Sequence, residues 1–319
     1  MTRQYLYLPG CAAQPGASAS HAQRALDTLC GQLDIHLEAI PDWNCCGATL
    51  GQAAAGELPR LALTARNLAL AERARPGQDV VIAQAGCWLA TRSARDRLCA
   101  DDERMSETNR ALAEAGLKYE AKQQVRHFIE VLLEDIGLDA LATRVTRPFS
   151  GLRIAGHVGC RVNAIDPESR HKPRFLDQLI KSVGGEPITD FDPATTCCGP
   201  TPPLTPTTQI NPTPINPTQT NPSQINPPQP QSEAHAILTN ARARGADLIV
   251  TTCASCQLKL EIEQQGALAE QSSQGTGPNA LPVLLYTQMI GLALGADPAA
   301  AALDGNLIPA THLFANTGS

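Results

Sequence analysis

Aromatic side chains are scarce in this chain: two Trp, four Tyr and five Phe among 319 residues. A core of the size this length allows must therefore be built from Leu, Ile, Val and Ala. Long apolar runs are also missing, since no stretch reaches the roughly 18 residues that would mark a membrane-spanning helix. The opening MTRQYLYLPGC has no charged segment followed by an apolar one, as a secretory leader would. A cytoplasmic protein with no membrane span is expected. The net charge of -6 comes without a basic stripe, which argues against nucleic-acid binding. No glycine-rich dinucleotide fingerprint, Walker motif or Ser-His-Asp arrangement is present. What the chain has in excess is cysteine, eleven in all. In a reducing compartment thiols stay reduced and clustered cysteines more often hold metal, and an odd number cannot form a fully paired disulfide framework.

The cysteines recur in a pattern. Cys11 ends YLPGC, Cys45 and Cys46 precede Gly47, and Cys87 ends VVIAQAGC. Further on, Cys160 ends GHVGC, Cys197 and Cys198 precede Gly199, and Cys253 and Cys256 lie in LIVTTCASC. Cys160 follows Cys11 by 149 residues and Cys197 follows Cys45 by 152, but Cys253 follows Cys87 by 166. The surplus has a visible source at 200–231, where Asn211, Asn216, Asn221 and Asn226 each precede a proline at intervals of five. Proline removes backbone donors and disfavours helix at the residue before it, so this insert is expected to be extended or turn-rich, a solvated loop or a docking segment.

Elsewhere short apolar runs alternate with helical patterns. YLYLP, HLEAI and DVVIAQ read as strands, with helices near 18–33 and 51–75. LRIAGHV, EPITD and ADLIVTT repeat the theme, with helices near 172–184 and 232–245. Strand and helix in alternation imply parallel sheets with crossover helices. The expected fold is α/β, with two related lobes at 1–150 and 151–319, each a small parallel sheet with flanking helices and its cysteines just past the carboxyl ends of strands. Ligands bind at that edge of such sheets. Helices beginning after the cysteines would favour thiolate, and Gly47 and Gly199 permit backbone paths a β-carbon would obstruct. Thiolates select iron–sulfur clusters, zinc or Cu(I). Structural zinc takes four ligands, and Cys160, Cys197, Cys198, Cys253 and Cys256 make five, so iron–sulfur leads, zinc follows and purely structural thiols come last.

The pattern Cys160, Cys197-Cys198-Gly199, Cys253-x-x-Cys256 resembles the cysteine-rich CCG domain of the heterodisulfide reductase B-type subunits (HdrB), and Cys11, Cys45-Cys46-Gly47, Cys87 resembles its partner copy. GADLIVTTCASCQLKLE (245–261) and LPVLLYTQMIGLALG (281–295) are similar to the closing segments of those subunits. The resemblance implies noncubane [4Fe-4S] clusters that break or form sulfur–sulfur bonds. It implies that Cys160, Cys197, Cys198, Cys253 and Cys256 ligate one cluster and Cys11, Cys45, Cys46 and Cys87 the other. It also implies two partners, a ferredoxin-like subunit of the HdrC type and a flavin-containing subunit of the HdrA type, because this chain has neither a ferredoxin-like cysteine run nor a flavin signature. The substrate would be a disulfide or sulfane sulfur, free or carried on a protein, and bacterial relatives suit oxidative sulfur metabolism. One departure stands out: counting from Cys87 as the first cysteine of a C-x-x-C, Ala90 stands where a second is expected. The first lobe is therefore expected to hold an altered iron–sulfur cluster, zinc or nothing.

Other residues carry less. His157 and Arg161 flank Cys160 and are candidates for donating a proton or binding a substrate anion, or for a structural role. Cys30 reads as a small buried hydrophobe on a helical face, Cys99 as structural or incidental, and His127 as packing or surface on an amphipathic helix. Two rival functions remain: an iron–sulfur electron-transfer subunit of a lactate-, glycolate- or succinate-oxidising complex, and a zinc-stapled assembly protein without enzymatic activity.

Overall fold

In the computed structural model, residues 2–48, 56–163, 175–199, 232–272 and 280–314 are described, with only the backbone given for 266–272 and 314. Two four-stranded sheets organise the chain. The first contains β1 (Arg3–Tyr7), β2 (Ile35–Ala39), β3 (Val80–Ile82) and β4 (Val125–His127); the second contains β5 (Arg153–His157), β6 (Glu186–Pro187), β7 (Leu248–Thr251) and β8 (Val283–Leu285). Their strand orders, β2-β1-β3-β4 and β6-β5-β7-β8, are the same, and every pairing is parallel. The expected α/β class with parallel sheets and flanking helices is what the chain adopts.

The residues explain the elements. β3 (VVI) and β7 (LIVT) are central strands covered on both faces and carry only buried residues, as a parallel sheet requires. β6 is an edge strand, where Pro187 costs no ladder bond. The helices are α1 (Ser20–Gln32), α2 (Leu58–Ala74), α3 (Ala85–Ala100), α4 (Asp102–Ala113), α5 (Gly159–Asn163), α6 (Phe175–Ser182), α7 (Glu233–Ala243), α8 (Ala254–Ser272) and α9 (Tyr286–Ala293), with short helical turns between Phe128 and Ala142. Side-chain caps open two of them: Asp101 accepts from the Arg104 amide at 3.0 Å, and Ser232 accepts from the His235 amide at 3.0 Å. The Pro-rich insert at 200–231 lies outside the described residues.

The fourth strand of each sheet is short and runs directly into a helix, VRH into FIE and VLL into YTQMIGLA. His127 therefore ends a strand instead of riding a helix face. It is 1% exposed, takes the Ile129 amide on Nδ1 at 3.2 Å and lies edge-on to Trp88 with ring centroids 5.4 Å apart. Burial holds its imidazole down to about 3, so the ring is neutral.

The two sheets are joined by a continuous core. Leu26, Leu29 and Leu33, on α1 and just past its end, pack in one apolar cluster with Leu179 and Ile180 from α6 and Met289 and Ile290 from α9. Polar contacts stitch the same seam: His21 Nε2 lies 2.8 Å from Gln257 Oε1, Gln32 Nε2 donates to the Gly291 carbonyl at 3.1 Å, and Arg24 pairs with Asp304 at 3.0 Å.

Candidate functional site

β1 and β3 are neighbours, yet the chain leaves β1 to build β2 on one side and returns for β3 on the other; β5 and β7 repeat this. The loops leaving such a strand pair diverge and open a crevice at the carboxyl edge. Cys11 follows β1, Cys45 and Cys46 follow β2, and Cys87 sits in the first turn of α3 just past β3. Cys160 follows β5, Cys197 and Cys198 follow β6, and Cys253 and Cys256 bracket the start of α8 just past β7. Nine of the eleven cysteines thus gather at two crevices.

Each crevice has an outer and an inner tier. In the first, exposed Cys11 and half-buried Cys45 approach to 3.9 Å between sulfurs, while Cys46 and Cys87 are buried and the Cys87 thiol donates to the Cys46 sulfur. In the second, half-buried Cys160 and exposed Cys197 are hydrogen-bonded partners, while buried Cys198, Cys253 and Cys256 form a chain with Cys256 between the other two. The hydrogen bond from Cys87 brings Cys46 down to about 7, helped by the Ala48 amide. The bond from Cys256 brings Cys253 down to about 6, helped by the Cys256 and Ser255 amides at the start of α8 and by the charge of Arg161. Burial pushes Cys160 up to about 11. In each inner tier a buried thiol's proton favours thiolate on its neighbours, Cys87 on Cys46 and Cys256 on Cys198 and Cys253.

Glycine makes the inner tier possible. A β-carbon on Gly10 (φ 81°) would lie 2.8 Å from Cys87 Sγ, and one on Gly159 (φ 72°) would lie 3.3 Å from Cys256 Sγ. Both glycines precede the first cysteine of their set, and both give way to a thiol from the helix that follows the neighbouring strand, α3 after β3 and α8 after β7.

This match resets the alignment of the two sets. Leu6 pairs with Val80, and Ala155 pairs with Ile249. Cys11 lies five residues past Leu6 and Cys160 five past Ala155, while Cys87 lies seven past Val80 and Cys256 seven past Ile249. Cys87 is therefore the counterpart of Cys256, and the residue opposite Cys253 is Gln84. Ala90 is not the missing thiol position. Its counterpart is Lys259, whose ammonium donates to the Gly199 carbonyl beside the paired cysteines.

The two weaker candidates differ. His157 is fully buried, its Nδ1 is 3.1 Å from the Pro193 carbonyl, and burial brings it down to about 4. Its Nε2 has no protein partner and lies near Cys256, since a β-carbon on Gly159 would be 3.5 Å from it. Arg161 reaches across the seam. A β-carbon on Gly86 would lie 2.2 Å from its Nη1, so the guanidinium rests against the backbone just before Cys87. Ala85 likewise packs in one cluster with Cys198, Cys253 and Cys256. The two crevices are thus neighbours. Cys30 is buried in α1, where burial pushes its thiol up to about 12, and Cys99 is exposed at the end of α3; neither joins a set.

The donors are soft, and five thiols exceed what one tetrahedral zinc accepts, so the second set fits a polynuclear group. Among the described residues no three His, Cys, Asp or Glu side chains are set to hold a single metal ion.

The cysteine-rich CCG domain pattern matches residues 5–91 and 225–261. Three relatives extend the match. The membrane anchor subunit of 8-methylmenaquinol:fumarate reductase from Wolinella succinogenes is 28% identical over 98% of this chain and 100% of its own length. The B subunit of the ferredoxin/F420H2-dependent CoB-CoM heterodisulfide reductase from Methanosarcina acetivorans is 29% identical over 88% of this chain and 86% of its own. A protein from Archaeoglobus profundus, described as similar to the heterodisulfide reductase B subunit, is 27% identical, covering 83% of each. The crystal structure of a hypothetical protein from Helicobacter pylori has a TM-score of 0.61 at 13% identity, covering 97% of this chain and 53% of that one, and shares the fold. The chain is thus an α/β protein of the cysteine-rich CCG type. More particularly, it is HdrB-like, similar over most of its length to the B-type subunits of heterodisulfide reductases. One relative is named a membrane anchor, but among the described residues no helix is long and apolar enough to cross a membrane.

Proposed function

We propose that this chain is the cluster-bearing subunit of a heterodisulfide reductase-type complex and acts as an oxidoreductase on sulfur–sulfur bonds. The observation that carries the reading is the second crevice, where five thiols from three distant segments converge at the carboxyl edge of a parallel sheet. In this reading Cys160, Cys197, Cys198, Cys253 and Cys256 hold a noncubane [4Fe-4S] cluster, Cys11, Cys45, Cys46 and Cys87 hold an iron–sulfur group or zinc, and the two lobes meet near residue 150. Such a cluster would supply electrons and an iron site for a substrate sulfur. The protein keeps the inner sulfurs from water, holds Cys253 as thiolate, and leaves Cys197 and Cys11 open to solvent. A ferredoxin-like and a flavin-containing subunit would carry electrons, and the substrate would be a disulfide or sulfane sulfur.

Iron analysis and Mössbauer spectroscopy on anaerobically purified protein test the assignment. Cys253→Ser should remove the noncubane signature and sulfur turnover, while Cys99→Ser leaves both intact. Equal loss in the two variants rejects it. The full-length match to a fumarate reductase subunit favours one second reading, an electron-transfer subunit of a succinate- or fumarate-linked complex. Purification with the native partners separates the two: quinone-linked activity without disulfide turnover selects the second.

A further inference from the structure

We infer that Gln84 belongs to the first cysteine set, its side chain standing where the second set has Cys253, so that the first crevice takes a four-thiolate group and the second a five-thiolate one. The inference rests on the reading of both sets as cluster sites and goes beyond it by making the two sites chemically unequal at one residue.

Three observations place Gln84 there. The sheet register puts it opposite Cys253. It directly precedes α3 as Cys253 directly precedes α8, and its side chain does not cap the helix. A β-carbon on Gly10 would touch Gln84 Cγ at 3.7 Å and Cys87 Sγ at 2.8 Å, so the Gln84 stem runs beside the Cys87 thiol. Beyond the stem, Gln84 lines a cavity at the seam with Tyr7, Gln23, Thr252, Ala254 and Tyr286. The Tyr286 hydroxyl there is buried without a protein partner. A primary amide differs from a thiolate in two ways. It is neutral and hard, so it does not replace a soft sulfur on iron, and its N–H groups donate hydrogen bonds where a thiolate would accept them. With every thiol ionised on metal, the first crevice therefore carries one negative charge fewer than the second and an amide with two N–H donors in its place. Ala90 is placed elsewhere, because its counterpart Lys259 lies past the thiols in the chain, donates to the Gly199 carbonyl and acts on Cys198 through its charge.

The test compares Gln84→Cys with Ala90→Cys in the full chain after anaerobic iron–sulfur reconstitution. Gln84→Cys should bring the five-thiolate signal from one to two per chain, roughly a twofold gain, with iron rising to match; Ala90→Cys should leave both at the wild-type level. A gain in Ala90→Cys, or two such signals already in wild type with no change in Gln84→Cys, overturns the inference. A second readout needs no iron. Titrating the reduced, metal-free chain with Cd2+ and following the thiolate-to-cadmium absorbance should bring nine thiolates onto metal in wild type and Ala90→Cys, and ten in Gln84→Cys. If wild type takes up no iron, the cluster reading fails, and the cadmium count alone decides the position. Equal counts in the two variants then overturn it.

Discussion

At the scale of single residues, the site depends on what is small. Gly10 combines a left-handed backbone with a neighbour, Cys87 Sγ, that a β-carbon would strike. Gly10→Ala should therefore cost about 1–3 kcal/mol of stability and lower metal uptake at the first crevice specifically, as thermal unfolding and metal analysis would read. A residue that belongs to neither cysteine set governs a pH dependence. Glu261 on α8 is 2% exposed, accepts the Leu307 amide at 3.0 Å, and is pushed up to about 7 by burial. Between its ordinary value of 4.5 and about 7 the unfolded chain gives up this proton while the folded chain keeps it, so stability falls as pH rises through that window. Glu261→Gln should remove this dependence, making the variant more stable than wild type above about pH 7 by roughly 3 kcal/mol and equal to it below about pH 4. Melting temperatures across roughly pH 4–8 would show the two curves diverging.

At the scale of elements, the strands that carry cysteines are legible in the sequence because an apolar run ends at each one: VVIAQAGC and LIVTTCASC become β3 and β7. β4 and β8 are not, since three residues running straight into a helix give no alternation to detect, and the sequence pattern alone puts His127 on a helix. The cysteine sets can be read from spacing, but their alignment cannot. Anchoring on the first cysteine of C-x-x-C points to Ala90, whereas the backbone anchors on the second, through the approach of Cys87 and Cys256 to Gly10 and Gly159. Counting from the strands finds it, with seven residues from Val80 to Cys87 and seven from Ile249 to Cys256. The contact of Arg161 with Gly86 joins residues far apart in the chain and leaves no trace in spacing. The Pro-rich insert carries none of the cysteines. Loop-closure entropy changes slowly with length, so deleting 208–226 should leave iron content and the unfolding midpoint within error of wild type; loss of co-purifying partner subunits in that variant would mark the insert as a docking segment.

At the scale of the molecule, the two sheets share one core. Ile290 is fully buried in the cluster that joins α1, α6 and α9. Ile290→Ala should cost about 2–5 kcal/mol and lower both halves together, so that denaturant unfolding stays a single transition; two resolved transitions would show the halves to be independent.

The tiered exposure of the thiols also fixes how the protein meets air. Cys11 and Cys197 face solvent and each has a sulfur neighbour, Cys45 at 3.9 Å and Cys160, while the inner sulfurs lie beneath them. Molecular oxygen reaching the metal-free chain meets the outer pairs first, and a disulfide across either one would seal its crevice with the inner thiols still reduced. Protein handled aerobically would then be folded, trapped empty, and recoverable by a thiol reductant before iron is offered.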